Sequence, residues 1–271
     1  MTERLDQAAL ARCEHENYAE TWVRAGAGME GGRVEQLPGA TLVSTGLPLL
    51  LFNQVFVVDD GASREQTAAS IRAGVGILRA SGRRFSVTLR KDTDDAHQPL
   101  MTELRLVPLD VAPWMPGMAL HPLPAIGSVP APAGHEIRPV GDARGLSDHA
   151  DVLAAGFGMP REWAAAFAID ALLRTPGLTF YVGYQDGVAV TSGVGTRTGR
   201  TIGIYNIATV ESARRRGLAA AMTMRIVDDG AAAGCDVATL QASDMGRPVY
   251  ERLGFRTVVE YFGHVDPRPE G

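Results

Sequence analysis

The sequence predicts an α+β fold, because helix and strand patterns alternate along both halves of the 271-residue chain. The apolar strand pattern Thr201–Thr209 leads through a basic turn into a helix pattern from Leu218 to Asp229. Asp186-Gly187 joins two strand-like runs and is a strong hairpin signal. A proline-rich stretch, residues 113–133, predicts an extended connector with no continuous helix or central strand. It divides the chain into candidate domains at residues 1–112 and 134–271.

The first half follows the order helix, three strands, helix, strand, helix. Its predicted elements are a helix at Leu5–Arg24, strands at Arg33–Leu37, Thr41–Thr45 and Gln54–Val58, a helix at Arg64–Ala80, a strand at Phe85–Leu89 and a helix at His97–Leu104.

The second half contains two helices early in its strand pattern and two more near its end. The predicted elements are a strand at Glu136–Val140, helices at Asp142–Ala155 and Pro160–Arg174, strands at Leu178–Tyr184, Val188–Thr196 and Thr201–Thr209, a helix at Leu218–Asp229 and a strand at Val237–Leu240. Ser243 or Asp244 is suited to cap a helix ending near Leu253. Gly254 stands where a left-handed C-cap belongs, and a last strand begins at Phe255.

Composition limits the classes of function. The net charge of −5 argues against nucleic acid as the main partner, and a hydrophobic fraction of 45% can build real cores. No segment approaches the roughly 18 consecutive apolar residues of a membrane span, and the charged N-terminus does not resemble a signal peptide. Cys13 and Cys235 are too far apart for a metal-binding spacing and give no disulfide framework. We therefore expect a cytoplasmic protein with no metal site and no membrane partner.

The basic turn after Thr201–Thr209 has the composition of an anion site. A helix N-terminus presents backbone N–H groups with no intrahelical partner, and Gly217 allows a ligand to approach that backbone. Arg214, Arg215 and Arg216 add positive charge. These features predict a cradle for a diphosphate, whereas the simpler interpretation of the turn by itself is a solvated basic loop.

Taken with the strand, helix and Leu253-Gly254-Phe255 that follow, this turn resembles the GNAT superfamily of acyl-CoA-dependent N-acyltransferases. The phosphate-loop pattern of that family, Gln/Arg-x-x-Gly-x-Gly/Ala, is matched by Arg214, Gly217 and Ala219. The resemblance covers about residues 135–265. It implies the GNAT fold, an α+β fold of the three-layer type in which helices flank a mixed, mostly antiparallel central sheet.

The first half repeats the same order of elements, so the chain resembles a tandem GNAT protein with a degenerate N-terminal copy. At the turn equivalent to the phosphate loop stands Asp59-Asp60-Gly61-Ala62-Ser63, and two carboxylates there would repel a diphosphate. An unrelated α+β cap would give a similar pattern.

The resemblance also implies the site residues. Acetyl-CoA, or another acyl-CoA, would be the co-substrate, with its pantetheine arm against the strand edge and its diphosphate on the loop. The positions that would bind it are Ile207, Ala208, Thr209, Arg214, Arg215, Arg216, Gly217, Leu218, Ala219, Ser243, Met245 and Gly246. Tyr250 would protonate the departing thiolate, although it could instead simply pack against Phe255.

The acceptor side is less defined. Phe157, Trp163 and Asn206 are its candidate contacts, with Met159, Phe167, Thr191 and Ser192 nearby, and helical spacing favours core packing for Phe167. Asp170, Glu260, His264 or a chain of waters could take the proton of the amine.

The predicted activity is transfer of an acyl group, most simply acetyl, from coenzyme A to a primary amine of a small molecule or peptide by direct attack. The protein would act as a monomer or homodimer. The alternatives are a non-catalytic acyl-CoA-binding regulator and an acyltransferase that takes its acyl group from a carrier-protein thioester.

Overall fold

The computed structural model describes residues 5–109 and 115–267. The beginning of the predicted connector, at residues 113–114, lies outside the described residues, as do the first four residues of the chain. The helices are α1 (Gln7–Gly28), α2 (Arg64–Ala80), α3 (Lys91–Glu103), α4 (Ala143–Phe157), α5 (Arg161–Phe167), α6 (Asp170–Leu173), α7 (Leu218–Ala232) and α8 (Arg247–Arg252). The strands are β1 (Arg33–Leu37), β2 (Ala40–Ser44), β3 (Asn53–Val57), β4 (Ser86–Arg90), β5 (Val107–Pro108), β6 (Met115–Leu120), β7 (His135–Pro139), β8 (Leu178–Gln185), β9 (Val188–Thr198), β10 (Thr201–Thr209), β11 (Val237–Gln241) and β12 (Arg256–Val265). Within these described ranges, no helix is long and apolar enough to span a bilayer.

The chain divides into two compact units. The C-terminal unit contains Met1–Tyr18 and Met118–Val258, and the N-terminal unit contains Ala19–Gly117 and Val259–Gly271. Each unit therefore includes a segment from the far end of the chain. The proposed domain boundaries at residues 112 and 134 stay a prediction.

The N-terminal unit is built on an antiparallel meander of β1, β2 and β3, with β4 parallel to β3. The end of β12 pairs with β4 in antiparallel register, and β5 pairs with the same part of β12. Ile71 of α2 and Met101 of α3 share one apolar core with Val55, Val87 and Leu89 of the strands. Burial of this core is the main source of stability for the unit.

The C-terminal unit has the strand order β6-β11-β10-β9-β8-β7, and β12 is the other neighbour of β6. Strands β7 to β10 pair antiparallel, and β10 pairs parallel with β11. The β8–β9 turn confirms the predicted hairpin, since Asp186 and Gly187 both have positive φ, at 52° and 79°. Asp-Gly favours this turn because both central residues must be left-handed.

Helices cover both faces of the C-terminal sheet. Phe180 and Tyr181 are consecutive on β8 and therefore point to opposite faces. The Phe180 ring packs edge-on against His149 of α4, at 5.1 Å between ring centroids, whereas the Tyr181 hydroxyl donates to Asp229 of α7 at 2.9 Å. The result is the three-layer arrangement expected of the fold class.

The His149 side chain attaches α4 to the sheet through a hydrogen bond to the backbone of β8. Its Nδ1 lies 3.1 Å from the carbonyl oxygen of Tyr181, so the tautomer carries its proton on Nδ1 and donates it there. The residue is fully buried, and burial lowers the pKa of His149 to about 4. The ring is therefore neutral at physiological pH.

Most predicted elements are present, but several differ. Residues Met115–Leu120 form strand β6 between β11 and β12, so the prediction that the connector contains no central strand was wrong. Pro116 and Gly117 lie near the start of that strand, where a missing N–H is tolerated, and Met118 is fully buried. Helix α3 begins six residues before the predicted start at His97, and the predicted helix Pro160–Arg174 is broken into α5 and α6.

Candidate active site

Strands β10 and β11 separate part-way along their length. Their parallel pairing covers only Thr201, Ile202 and Gly203 of β10. Strand β10 continues to Thr209 with no further pairing to β11, although it stays paired with β9 on its other side. One edge of its second half is therefore open for a ligand's amide groups.

A β-bulge lies at the beginning of this open segment. The β9–β10 register shifts between Tyr205 and Ala208, and Asn206 has a left-handed φ of 53°. The Ser192 hydroxyl donates to the carbonyl oxygen of Asn206 at 3.4 Å. Bulges redirect a strand and often lie beside active sites, and this one turns β10 away from regular pairing where the open edge begins.

The register selects which backbone groups reach the open edge. The N–H of Val210 donates to the Val190 carbonyl oxygen at 3.0 Å, and the Ala208 carbonyl oxygen accepts from Thr191. Ala208 and Val210 therefore point their backbone groups towards β9. Since alternate residues of an antiparallel strand point the other way, Ile207 and Thr209 direct theirs to the open edge. Of the three residues predicted for this edge, Ala208 has its carbonyl oxygen bonded to the Thr191 hydroxyl.

The turn into α7 presents a row of backbone donors. The first helical hydrogen bond runs from the N–H of Ala221 to the carbonyl oxygen of Gly217. Across the described parts of the chain, nothing accepts a hydrogen bond from the six N–H groups of residues 215–220, and no side chain caps this helix. Gly217 has a left-handed φ of 79°. A Cβ atom at Gly217 would have only Pro132 Cγ nearby, at 3.8 Å, so the space above the row is open.

The three arginines of the turn differ in their surroundings. Arg215 and Arg216 are exposed, and Arg216 donates to the Ser212 carbonyl oxygen at 2.9 Å. Arg214 is half-buried and donates to the carbonyl oxygens of Thr209 and Gly156, at 3.2 and 3.0 Å. Arg215 and Arg216 therefore expose their charge next to the donor row, whereas the Arg214 guanidinium is directed to these carbonyl oxygens.

The corresponding turn of the N-terminal unit is closed by its own side chains. Ser63 caps α2 by accepting from the Gln66 N–H at 3.2 Å, while the Gln66 side chain accepts from the Ser63 N–H at 2.8 Å. This capping box occupies donors that an anion would need. Asp60 accepts from the N–H groups of Gly39 and Ala62, both at 2.9 Å, and these bonds lower its pKa, so it stays negatively charged.

Pairing in the N-terminal unit also leaves no comparable opening. Strand β3 spans Asn53–Val57, and its parallel register with β4 covers Gln54, Val55 and Phe56. Only one residue of β3 runs past that register, compared with six residues of β10 past Gly203.

Tyr250 on α8 is buried, with 9% of its surface exposed. Its ring packs edge-on against Phe255, at 6.1 Å between centroids, and a Cβ atom at Gly246 would lie 3.0 Å from the ring. Burial raises the pKa of Tyr250 to about 12. Its hydroxyl has no hydrogen-bond partner among the described residues. The ring is therefore fixed by packing, while its proton is not committed to another group of the protein.

The turn before α8 holds the other residues predicted for the pantetheine path. Ser243 accepts from the Gly246 N–H through both its hydroxyl and its carbonyl oxygen, at 3.2 and 3.0 Å. Met245 is 73% exposed. The predicted helix at this position is shorter than expected, beginning at Arg247, whereas Gly254 has the expected left-handed φ of 95°.

The predicted acceptor-side residues differ in how far they are exposed and in what their side chains contact. Phe157, at the end of α4, is 55% exposed, and Trp163 on α5 is half-buried. Phe167 is buried, as its spacing predicted. Thr191 and Ser192 donate their hydroxyl groups to β10 carbonyl oxygens, so those hydroxyls act in the strand pairing.

The candidate bases are engaged elsewhere. Asp170 is an exposed partner of Arg174 on α6. Glu260 pairs with Lys91, and His264 Nε2 lies 2.7 Å from Asp94 Oδ1, all within the N-terminal unit. The part of the chain that the structure describes holds no group of three or more side chains arranged for a metal ion.

Sequence analysis missed a polar group that α1 places near the end of the β10–β11 pairing. Asn17 accepts from the Tyr205 hydroxyl at 2.6 Å, and Glu14 accepts from the Gln241 amide at 2.6 Å. Both α1 residues are fully buried. Because the partners are about 190 to 230 positions apart in sequence, no local pattern could have identified them.

Comparison with known proteins gives a consistent assignment. Residues 160–263 match the family model described as an acetyltransferase (GNAT) domain. No curated protein sequence matches the chain. Three solved structures share its fold across most of its length, at identities too low to indicate more than the fold.

The first is a GCN5-related N-acetyltransferase from Kribbella flavida, with a TM-score of 0.71, 16% identity, and coverage of 94% of this chain and 95% of that one. The second is one from Sphaerobacter thermophilus, with a TM-score of 0.60, 18% identity, and coverage of 96% and 91%. The third is a tandem GNAT protein from the clavulanic acid biosynthesis pathway, with a TM-score of 0.62, 13% identity, and coverage of 84% and 78%. Residues 160–263 of this chain are therefore similar to a GNAT acetyltransferase domain, within a protein that has the GNAT fold.

Proposed function

We propose that this protein is an acyl-CoA-dependent N-acyltransferase that moves an acetyl group from acetyl-CoA to a primary amine of a small molecule or peptide. The observation that carries the proposal is the uncapped row of N–H groups at residues 215–220, directly after the strand β10 that leaves its neighbour β11. A diphosphate fits such a row because the helix dipole and the donors act on it together.

On the donor side, backbone groups would bind most of the co-substrate. The N–H groups from Arg215 to Ala220 would hold the diphosphate, with charge from Arg215 and Arg216. Ile207 and Thr209 would pair with the amides of the pantetheine arm and offer an N–H to the thioester oxygen. A preorganised donor of this kind contributes about 3 kcal/mol to lowering a barrier.

In the chemical step, the amine nitrogen attacks the thioester carbon, the N–C bond forms and the C–S bond breaks. The leaving thiolate takes a proton from the Tyr250 hydroxyl, the amine loses its proton to water, and solvent returns that proton to the tyrosinate. The buried Tyr250 phenol, of pKa about 12, would transfer its proton to an alkyl thiolate whose thiol has a pKa of about 8.5 in water at a cost of about 5 kcal/mol. Exclusion of water also raises the proton affinity of the thiolate, which reduces this difference.

The N-terminal unit would be structural. Its capped α2 and its nearly complete β3–β4 register argue against a second acyl-CoA site, and Asp59 and Asp60 add negative charge at the corresponding turn. We propose the cytoplasm as its compartment.

The test is thiol release from acetyl-CoA across a panel of primary amines, comparing wild type with Tyr250→Phe. Tyr184→Phe is a matched control, because the Tyr184 hydroxyl already donates to Asp148 at 2.7 Å. We expect Tyr250→Phe to lower kcat about 100-fold without changing the Kd for acetyl-CoA, which is the usual scale of a general-acid contribution.

Other outcomes would contradict parts of the proposal. Binding of acetyl-CoA with no turnover on any amine would indicate a regulator. Turnover with an acyl-carrier thioester but not with acetyl-CoA would identify the other donor. Equal kcat values for Tyr250→Phe and wild type would remove Tyr250 from the mechanism.

A further inference from the structure

Arg214 occupies the first position of the phosphate-loop pattern, yet its guanidinium is committed to two backbone carbonyls. Its Nε donates to the Thr209 oxygen at 3.2 Å, and its Nη2 donates to the Gly156 oxygen at 3.0 Å. Both bonds have a charged donor, which makes them stronger than ordinary hydrogen bonds.

The two carbonyls belong to different layers of the C-terminal unit. Thr209 is the last residue of β10, at its open edge, and Gly156 lies in the last turn of α4. The last carbonyls of a helix lack intrahelical partners, so Arg214 supplies the partner that Gly156 would otherwise lack. One side chain thus joins the end of the strand to the end of the helix.

The same helix end packs closely on β10. A Cβ atom at Gly156 would lie 2.7 Å from the Cβ of Ala208 and 3.2 Å from the Thr209 nitrogen. Glycine is needed here for this close approach, since a larger side chain would push the helix away from the strand. Arg214 therefore fixes a contact that already has little free space.

Beyond Gly156, the chain turns into α5. Gly158 has a left-handed φ of 66° and donates its N–H to the Ala154 oxygen, as does Met159 at 3.1 Å. Phe157, the last residue of α4, directly precedes them and is 55% exposed. The position of this aromatic side chain depends on how firmly the helix end is held.

We propose that Arg214 is a positioning residue for the acceptor side, which ties the turn of residues 156–158 to the end of β10, and that it does not hold the diphosphate. This inference rests on the proposed function for its catalytic consequence only. The diphosphate would instead be bound by the N–H groups of residues 215–220 together with Arg215 and Arg216. The Arg216 side chain bonds to Gln185 and to the Ser212 carbonyl oxygen, not to Gly156.

The direct test is hydrogen–deuterium exchange on the full chain without any ligand. Arg214→Gln keeps a hydrogen-bonding side chain but loses the positive charge and the pair of N–H donors that reach both carbonyl oxygens. Arg216→Gln is the control within the same loop. We expect the amides of Gly158 and Met159 to exchange about tenfold faster in Arg214→Gln than in wild type, since local opening becomes easier. The control should exchange at the wild-type rate, and Arg214→Lys, with one point donor, should fall between them.

The second test separates the two substrates. By calorimetry with acetyl-CoA, Arg214→Gln should keep its Kd within about twofold of wild type, whereas Arg215→Gln should bind about fivefold more weakly. In steady-state assays, Arg214→Gln should raise the KM for the amine and leave the KM for acetyl-CoA unchanged.

Unchanged exchange at residues 158 and 159 in Arg214→Gln would overturn the inference, and so would a loss of acetyl-CoA affinity as large as that of Arg215→Gln. If wild type binds no acetyl-CoA, the proposed function fails, and the exchange experiment still decides whether Arg214 holds the turn. If Arg214→Gln does not fold, Arg214→Lys provides the same comparison.

Discussion

Replacing Gly217 by glutamate tests the diphosphate cradle, and glutamine is its matched control. A Cβ atom at this position meets nothing closer than Pro132 Cγ at 3.8 Å, so both substitutions have room at the Cβ. Both variants share the cost of a left-handed φ of 79°, which is about 1 kcal/mol for an L-residue. They differ only in one negative charge.

The expected effect of that charge follows from Coulomb's law. A carboxylate about 6 Å from a diphosphate of charge about −2, at an effective dielectric constant of about 40, is repelled by about 3 kcal/mol. That energy corresponds to a factor of about 100 in Kd. Because a carboxylate at a helix N-terminus is itself favourable by 0.3 to 1 kcal/mol, as a rough guide, Gly217→Glu should be no less stable than Gly217→Gln.

The assay is titration calorimetry with coenzyme A, alongside urea unfolding of each variant. We expect the Kd of Gly217→Glu to exceed that of Gly217→Gln about 100-fold, with similar free energies of unfolding. Equal Kd values for the two variants, with both folded, would refute the cradle.

Three further predictions concern other parts of the chain. His149→Gln should make the free energy of unfolding less dependent on pH. The pKa of His149 falls from 6.5 to about 4 on folding, so its stabilising effect is fully present above pH 6.5, and about 3 kcal/mol of it is lost as the pH falls towards 4. Urea unfolding at pH 7.5 and 5 measures this, and equal pH dependence in both proteins would contradict it. Gly156→Ala should lower the free energy of unfolding by about 1 to 3 kcal/mol through overpacking. Its control is Gly76→Ala, at an exposed position of α2 with nothing within 4 Å of the added Cβ, which should be neutral or stabilising. Similar unfolding curves for the two variants would contradict the close contact at Gly156. Asp59→Asn with Asp60→Asn should leave thiol release within about twofold of wild type if the N-terminal unit is structural, and a large loss in a folded variant would assign chemistry to that unit.

Local signals were sufficient to predict much of the fold. Arg64–Ala80 was predicted from its helical pattern with its observed ends, and the structure adds a capping box of Ser63 and Gln66 at its start. Thr201–Thr209 was also predicted with its observed ends, bounded by a turn on one side and the basic loop on the other. The Asp186-Gly187 turn has the backbone that its residues favour.

The remaining differences come from tertiary structure. Strand β6 contains Pro116 and Gly117, whose local preference is against a strand, and it forms because Met118 to Leu120 are buried between neighbouring strands. The start of α3 is polar, with Asp92 and Asp94 in its first turn, so apolar periodicity could not mark it.

At the candidate site, the basic loop was read from the sequence and the strand edge was implied by the family resemblance, but neither indicated how the individual groups are used. Ala208 faces β9 because of the register after the bulge, which a sequence pattern does not fix. Arg214 reaches Gly156, 58 positions away, so its role depends on packing that is absent from any local motif. On the acceptor side, Phe157 and Trp163 supply apolar surface, which carries no charge pattern that a sequence could reveal.

The most direct test of the central claim is a crystal structure of the protein with bound acetyl-CoA. We predict the diphosphate within about 3 Å of the N–H groups of residues 215–220, and the pantetheine arm between β10 and β11 against Ile207 and Thr209. A diphosphate bound elsewhere, including at residues 59–63 of the N-terminal unit, would contradict the account.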